Sequence, residues 1–94
     1  MYIVSLSYVR PMEEVEALLA PHIQWLDRYF AAEVFIAAGR KDPRTGGIVL
    51  VKDIERSRLD AILAEDPFVA VANYEVTKLN VTRTAQDFAA LAAL

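Results

Sequence analysis

The chain has no cysteine, one histidine, one tryptophan and three glycines among its 94 residues. Without cysteine there are no disulfides, thiolate metal sites or cysteine nucleophiles. That composition suits a cytoplasmic protein. With one histidine, a metal ion would rest almost wholly on carboxylates, so no metal site is expected. Ten Lys and Arg against thirteen Asp and Glu give a formal net charge of −3. No basic stripe is present, which argues against a nucleic-acid partner. No apolar run reaches the length of about 18 residues that suggests a membrane span, so no membrane partner is expected. The N-terminal MYIVSLSYVR has neither a charged leader nor a cleavage-site pattern and reads as a strand. Internal repeats and low-complexity segments are also lacking.

What the chain does have is apolar content. Hydrophobic residues make up 55% of it, high for a small soluble domain. The length predicts one domain with its own core. The excess of apolar residues predicts that a second copy covers part of the surface.

Residues 2–9, YIVSLSYV, alternate as a strand. Tyr2, Val4, Leu6 and Tyr8 form one face, suited to a core. Ile3, Ser5, Ser7 and Val9 form the other, apolar but dotted with hydroxyls, suited to a cavity wall. Pro11 and the acidic Glu13, Glu14 and Glu16 mark a helix start. Apolar spacing then continues through 15, 19, 22, 26 and 29 or 30, and His22 falls within that row. An unbroken helix here would be about 30 Å long, against about 23 Å for a seven-residue strand. Pro21 inside it would cost about 3 kcal/mol and clash with the Ala17 carbonyl. The reading is therefore a short helix over 12–19, a break, and a main helix from Pro21 to about 32. Ala20 is a poor N-cap, which leaves a mere kink as the alternative.

VFIAAG (34–39) is apolar on both faces, the pattern of a strand covered on both sides. RKDPRTGG (40–47) is a turn, and IVLVK (48–52) is the returning strand. SRLD (57–60) has a capping-box pattern with Ser57 as N-cap, followed by a helix with Leu59, Ile62 and Leu63 on one face. EDPF (65–68) ends that helix, because a residue before proline leaves helical geometry. A fourth strand follows over 71–81. In 84–94, Thr84 with Asp87 suggests a capped amphipathic helix carrying Phe88, Leu91 and Leu94.

The order is β-α-β-β-α-β with a tail helix, an α+β ferredoxin-like arrangement over 1–83. Right-handed crossovers put both helices on one face of the sheet. The apolar character of the other face predicts sheet-on-sheet pairing into a homodimer, a dimeric α+β barrel. Followed strand by strand, this topology brings several polar groups to one end. They are the ends of Ser7 and Tyr8, the hairpin residues Arg40, Lys41 and Arg44, Asp66, and His22 if the proline break is real. Each has an ordinary explanation: a satisfied core histidine, a turn-forming aspartate, a solvated basic hairpin. Trp25 and Phe30 read as core or interface.

Four segments together resemble the YCII-related domain family. They are MYIVSLSYVRP, the histidine within LLAPHIQWLDRYFAAEVFIAAGR, PRTGGIVLV, and EDPFVAV leading into a strand. The helix histidine combined with DPF at this separation is the specific part. The resemblance implies a dimeric ferredoxin-like fold, as in muconolactone isomerases, and an active-site pair at His22 and Asp66. Glu33 stands where many relatives are expected to have glycine. Residues 84–94 fall outside the resemblance.

An imidazole held by a carboxylate can do general acid–base work. With no cysteine and no serine in an elbow motif, covalent catalysis is disfavoured. The reading is a cofactor-independent enzyme of isomerase or lyase type. It would move a proton on a small anionic or phenolic molecule, with Ser5, Ser7, Arg40 and Arg44 binding substrate. The alternative is a non-catalytic dimeric module that holds a small ligand or regulates a partner. A third and weaker reading, from fold analogy alone, is a cofactor-free oxygenase.

Overall fold

The computed structural model describes all 94 residues. The chain runs β1 (Tyr2–Tyr8), α1 (Met12–Ala17), α2 (Leu19–Ala31), β2 (Phe35–Arg40), β3 (Gly46–Val51), α3 (Arg56–Ala64) and β4 (Ala72–Lys78). A 3₁₀ turn, Pro67–Ala70, links α3 to β4, and a 3₁₀ helix, Gln86–Ala93, closes the chain. The four strands form one sheet in the order β2-β3-β1-β4, with every neighbouring pair antiparallel. Each helical crossover therefore skips one strand, the split β-α-β of the ferredoxin-like fold.

Alternation along β1 decides where the core sits. Tyr2, Val4 and Leu6 are buried, and they lie in register with Val51, Val49 and Gly47 of β3. Val15, Trp25, Leu59, Ile62 and Leu63 from the three helices pack with them in one cluster. Leu59, Ile62 and Leu63 share the buried side of α3, as their spacing predicts. Gly46 lets β3 pass close to β1, since a Cβ there would meet the Leu6 carbonyl oxygen at 1.8 Å.

The helical stretch is broken, but not at the predicted residue. α1 ends at Ala17, Leu18 leaves helical geometry (φ −103°, ψ 1°), and α2 starts at Leu19. Pro21 is thus the third residue of α2. The first N–H groups of a helix have no intrahelical acceptor, so proline costs no bond there. The break N-terminal to it also removes the expected clash with Ala17. His22 becomes the fourth residue of α2, and its N–H closes the first turn on the Leu18 carbonyl at 3.0 Å.

Other local expectations are corrected. Ser57 does not cap α3: the helix begins at Arg56 with Glu55 as N-cap and no side-chain cap bond. Arg56 instead pairs with Asp60 one turn on, at 2.9 Å. Within this one chain β2 is an edge strand, and the cover expected on both faces of VFIAAG is present only at its start. Val34 and Phe35 are buried, whereas Ala37 to Arg40 are exposed. A bulge between Phe35 and Ala37 shifts the pairing with β3. The tail forms a 3₁₀ helix, kinked at Phe88, rather than an amphipathic α-helix. Thr84 does not cap it, and none of its residues is buried; Phe88 is 62% exposed. A segment that buries no face has nothing to select α-helical spacing.

α2 ends in a Schellman motif. The Val34 N–H reaches the Tyr29 carbonyl and the Glu33 N–H the Phe30 carbonyl, each at 3.0 Å. The motif puts Glu33 in left-handed geometry, φ 59°, which suits glycine. Glu33→Gly is therefore expected to stabilise the fold by about 1 kcal/mol. Thermal unfolding checks this, with an expected rise of about 4–8 °C. A lower midpoint would count against the strain.

Candidate active site

The DPF tripeptide builds one half of the site from local rules. Proline holds the preceding residue extended, and Asp66 is so (φ −69°, ψ 123°). From that position Asp66 caps the 3₁₀ turn, its Oδ1 accepting the Phe68 N–H at 3.0 Å. The turn buries Phe68, whose ring lies flat against the His22 imidazole, with centroids 3.7 Å apart and planes 5° from parallel. Trp25, one turn along α2, stacks on the histidine itself, with ring centroids 5.6 Å apart. Its Nε1–H donates to the Ile62 carbonyl at 2.9 Å, which ties α2 to α3.

The two halves meet. His22 Nδ1 lies 2.7 Å from Asp66 Oδ1, with the side chains 11% and 0% exposed. Tyr74 of β4 donates its phenol to the other carboxylate oxygen, Oδ2, at 2.5 Å. One fully buried carboxylate thus accepts three hydrogen bonds, from three separate segments of the chain. Such partners are what make a buried carboxylate tolerable. Burial first, and then the bond to Asp66 and its charge, push the Tyr74 phenol well above its usual range. Tyr74 therefore stays protonated and donates throughout the neutral range. The Nδ1 bond to a carboxylate assigns the ring proton to Nδ1. In the neutral ring Nε2 then carries the lone pair. It has no partner within the chain and is not sealed from solvent.

His22 lines a cavity of about 320 Å³, within the size range of small-ligand sites. Leu6, Leu19, Leu26, Val49 and Phe68 supply apolar wall, and Tyr8 adds a phenol. Arg40 and Arg44 are the cationic lining residues. A second recess, lined by Arg40, Lys41, Asp42 and Arg44, lies at the hairpin. No group of three or more His, Asp or Glu side chains is arranged to hold a metal ion.

Of the residues singled out from sequence, the structure brings His22, Asp66, Arg40 and Arg44 to one end of the sheet. Ser7 is at the same end, beside the hairpin, but on the other face of the sheet, and Ser5 lies further back along β1. They belong to the face of β1 opposite Val4 and Leu6, and neither lines the cavity. Ser7 instead accepts from Lys41 Nζ at 3.1 Å. The cavity lies on the helix side of the sheet, the side of β1's even-numbered residues. Tyr74 went unnoticed in the sequence. The signal was its strand alternation: Ala72, Tyr74 and Val76 share the face that pairs with Tyr8, Leu6 and Val4.

The fold and site define a class: an α+β ferredoxin-like protein with a buried His–Asp pair opening onto an apolar cavity. The chain belongs to the YCII-related domain family, whose model matches residues 1–80. No curated protein matches it. No helix is long and apolar enough to cross a membrane.

Proposed function

We propose that the protein is a cytoplasmic, homodimeric, cofactor-independent enzyme that moves a proton on a small anionic or phenolic molecule. One observation carries the reading. His22 has one ring nitrogen committed to a buried carboxylate and the other left for a molecule in the cavity. That is the geometry of a general base with an orienting group. Asp66 fixes the tautomer, Tyr74 and the Phe68 N–H hold Asp66, and Phe68 fixes the plane of the ring. The reaction class is isomerisation or elimination, in which the proton taken by Nε2 is returned elsewhere on the same molecule or lost with a leaving group.

The test is deuterium incorporation from solvent into small carboxylates and phenols bearing an acidic C–H, followed by proton NMR. Exchange that depends on His22 supports the reading. A molecule that binds beside His22 and exchanges no hydrogen supports the alternative, a non-catalytic binding module.

The dimer rests on the uncovered sheet face. Ile3 pairs with Leu50 and Ser5 with Ile48, and Leu50 pairs with Ala37. This apolar strip is the face of the sheet opposite the core. Sedimentation equilibrium is expected to give a dimer at micromolar concentration, and Leu50→Asp is expected to give a folded monomer. A wild-type monomer at high micromolar concentration would remove this part of the proposal.

A further inference from the structure

The hairpin between β2 and β3 carries Arg40, Lys41 and Arg44. Arg40 is in register with Gly47, and Gly47 with Leu6, so Arg40 belongs to the cavity side of the sheet. Arg44 lines the cavity too, but its charge is poorly matched. Its Nη1 meets Glu16 Oε1 of α1 at 3.4 Å, a long contact, with the side chains 33% and 58% exposed. Its Nε–H is buried and has no acceptor; it is the one buried side-chain polar atom of the chain left in that state. A guanidinium offers its Nη1–H and Nη2–H as a fork that fits both oxygens of a carboxylate. Glu16 engages the Nη1 tine of that fork with one oxygen, while Nη2 has no partner in the chain and is not sealed from solvent.

The rest of the cavity is mostly apolar. A molecule that matches it has a compact apolar body against Leu6, Leu26 and Phe68 and one anionic group at the arginines. We infer that the cavity takes a small amphipathic carboxylate whose carboxyl group occupies the Arg44 fork, and that Glu16 is an internal stand-in displaced when it binds. The inference rests on the proposed reading of this site and names its substrate class. A carboxylate is favoured over other anions because a carboxylate, that of Glu16, already sits at this guanidinium.

Benzoate is the probe, with benzamide as its neutral near-isostere and inorganic phosphate as an anion without an apolar body. Binding to the full chain is measured by calorimetry and by NMR of the His22 ring, at low ionic strength. Benzoate is expected to bind saturably. Arg44→Gln is expected to weaken it about tenfold or more. Glu16→Gln is expected to tighten it about two- to fivefold, by removing an exposed competitor. Benzamide is expected to respond to neither substitution, and phosphate to bind more weakly than benzoate. Should Arg44→Gln not fold, Arg44→Lys keeps the charge, loses the fork, and is expected to weaken benzoate to a lesser degree.

No saturable benzoate binding, equal affinity in wild type and Arg44→Gln, weaker binding in Glu16→Gln, or phosphate binding as tight as benzoate would each overturn the inference. The two readings fail separately. Benzoate that perturbs the His22 ring but ignores Arg44 and Glu16 overturns the carboxylate site and leaves the acid–base reading standing. Binding that depends on Arg44 but leaves His22 undisturbed supports the carboxylate site and counts against His22 as the base.

Discussion

Asp66→Ala is expected to cost the fold about 3–5 kcal/mol, because it leaves three donors without their acceptor at about 1–3 kcal/mol for each one that stays buried and unpaired. The size follows from what the carboxylate holds. The Nδ1–H of His22, the phenol of Tyr74 and the N–H of Phe68 all donate to it. Removing it orphans three donors from α2, β4 and the 3₁₀ turn at once. It also removes the cap that starts that turn. For a domain of this size the loss is a large fraction of the total stability, about 5–15 kcal/mol in ordinary domains. Asp66→Asn should cost less, about 1–2 kcal/mol. Its carbonyl still accepts from Phe68 and His22, and the Tyr74 hydroxyl can turn to accept from the new amide. Urea unfolding followed by Trp25 fluorescence measures both, since the single tryptophan is 1% exposed.

The same network has a pH signature. The Tyr74 phenol is raised in the folded state above its ordinary value of 10.0. Its contribution to stability is complete below about pH 10, where both states hold the proton. It is lost as pH rises further, because the unfolded chain releases the proton first. In Asp66→Ala the loss should therefore end at a lower pH than in wild type, because burial still raises the phenol but the bond and charge of Asp66 no longer do. A loss under about 1 kcal/mol at neutral pH, with an unchanged alkaline limb, would mean that the carboxylate does not organise these segments.

Much of this was legible in the sequence because it follows from local rules. In the DPF tripeptide, proline biases the aspartate toward extended geometry, and its side chain then caps the turn. Proline in a stretch too long for its strands forces a break. Strand alternation and two helical crossovers then carry His22 and Asp66 to the same end of the sheet. What escaped depends on relations that local rules do not see. The break fell at Leu18 rather than Ala20, because proline fits any of the first-turn positions and the pattern cannot choose among them. Ser57 looked like a cap, but Leu59 closes the helix onto the Glu55 carbonyl at 3.0 Å, so Ser57 lies inside it.

Ser5 and Ser7 were misplaced for a different reason. Both faces of β1 had apolar content, and only the assembled helices show that the cavity lies beside Leu6 rather than beside the hydroxyls. Tyr74 is the reverse case. A tyrosine in a strand is unremarkable, and its link to Asp66 appears only when β4 is laid against β1. The edge position of β2 was hidden as well. Its two apolar faces suggest cover on both sides, yet the chain covers only its first residues. On the proposed dimer, the pattern reports a partner instead of a neighbouring element.

His22→Asn is expected to leave the protein folded and to lower proton transfer by about 10²- to 10⁴-fold, the range for a general base. Asparagine is chosen because its side-chain amide N–H can take the place of Nδ1–H. The bond to Asp66 is then kept, and the buried carboxylate is not left unpaired. What disappears is Nε2 and the ring itself. Loss of the stack on Phe68, 3.7 Å away, should cost about 0.5–1.5 kcal/mol beyond the lost area. Folding and catalysis thus separate in one variant, as they would not in Asp66→Ala. Two measurements decide the matter. Nitrogen-15 NMR of the wild-type ring should place a proton on Nδ1, as the Asp66 bond requires. Deuterium uptake by a carboxylate with a C–H beside its carbonyl should proceed in wild type and nearly cease in His22→Asn. A ring protonated on Nε2 alone, or undiminished exchange in the variant, would leave His22 as a core residue satisfied by Asp66 and nothing more.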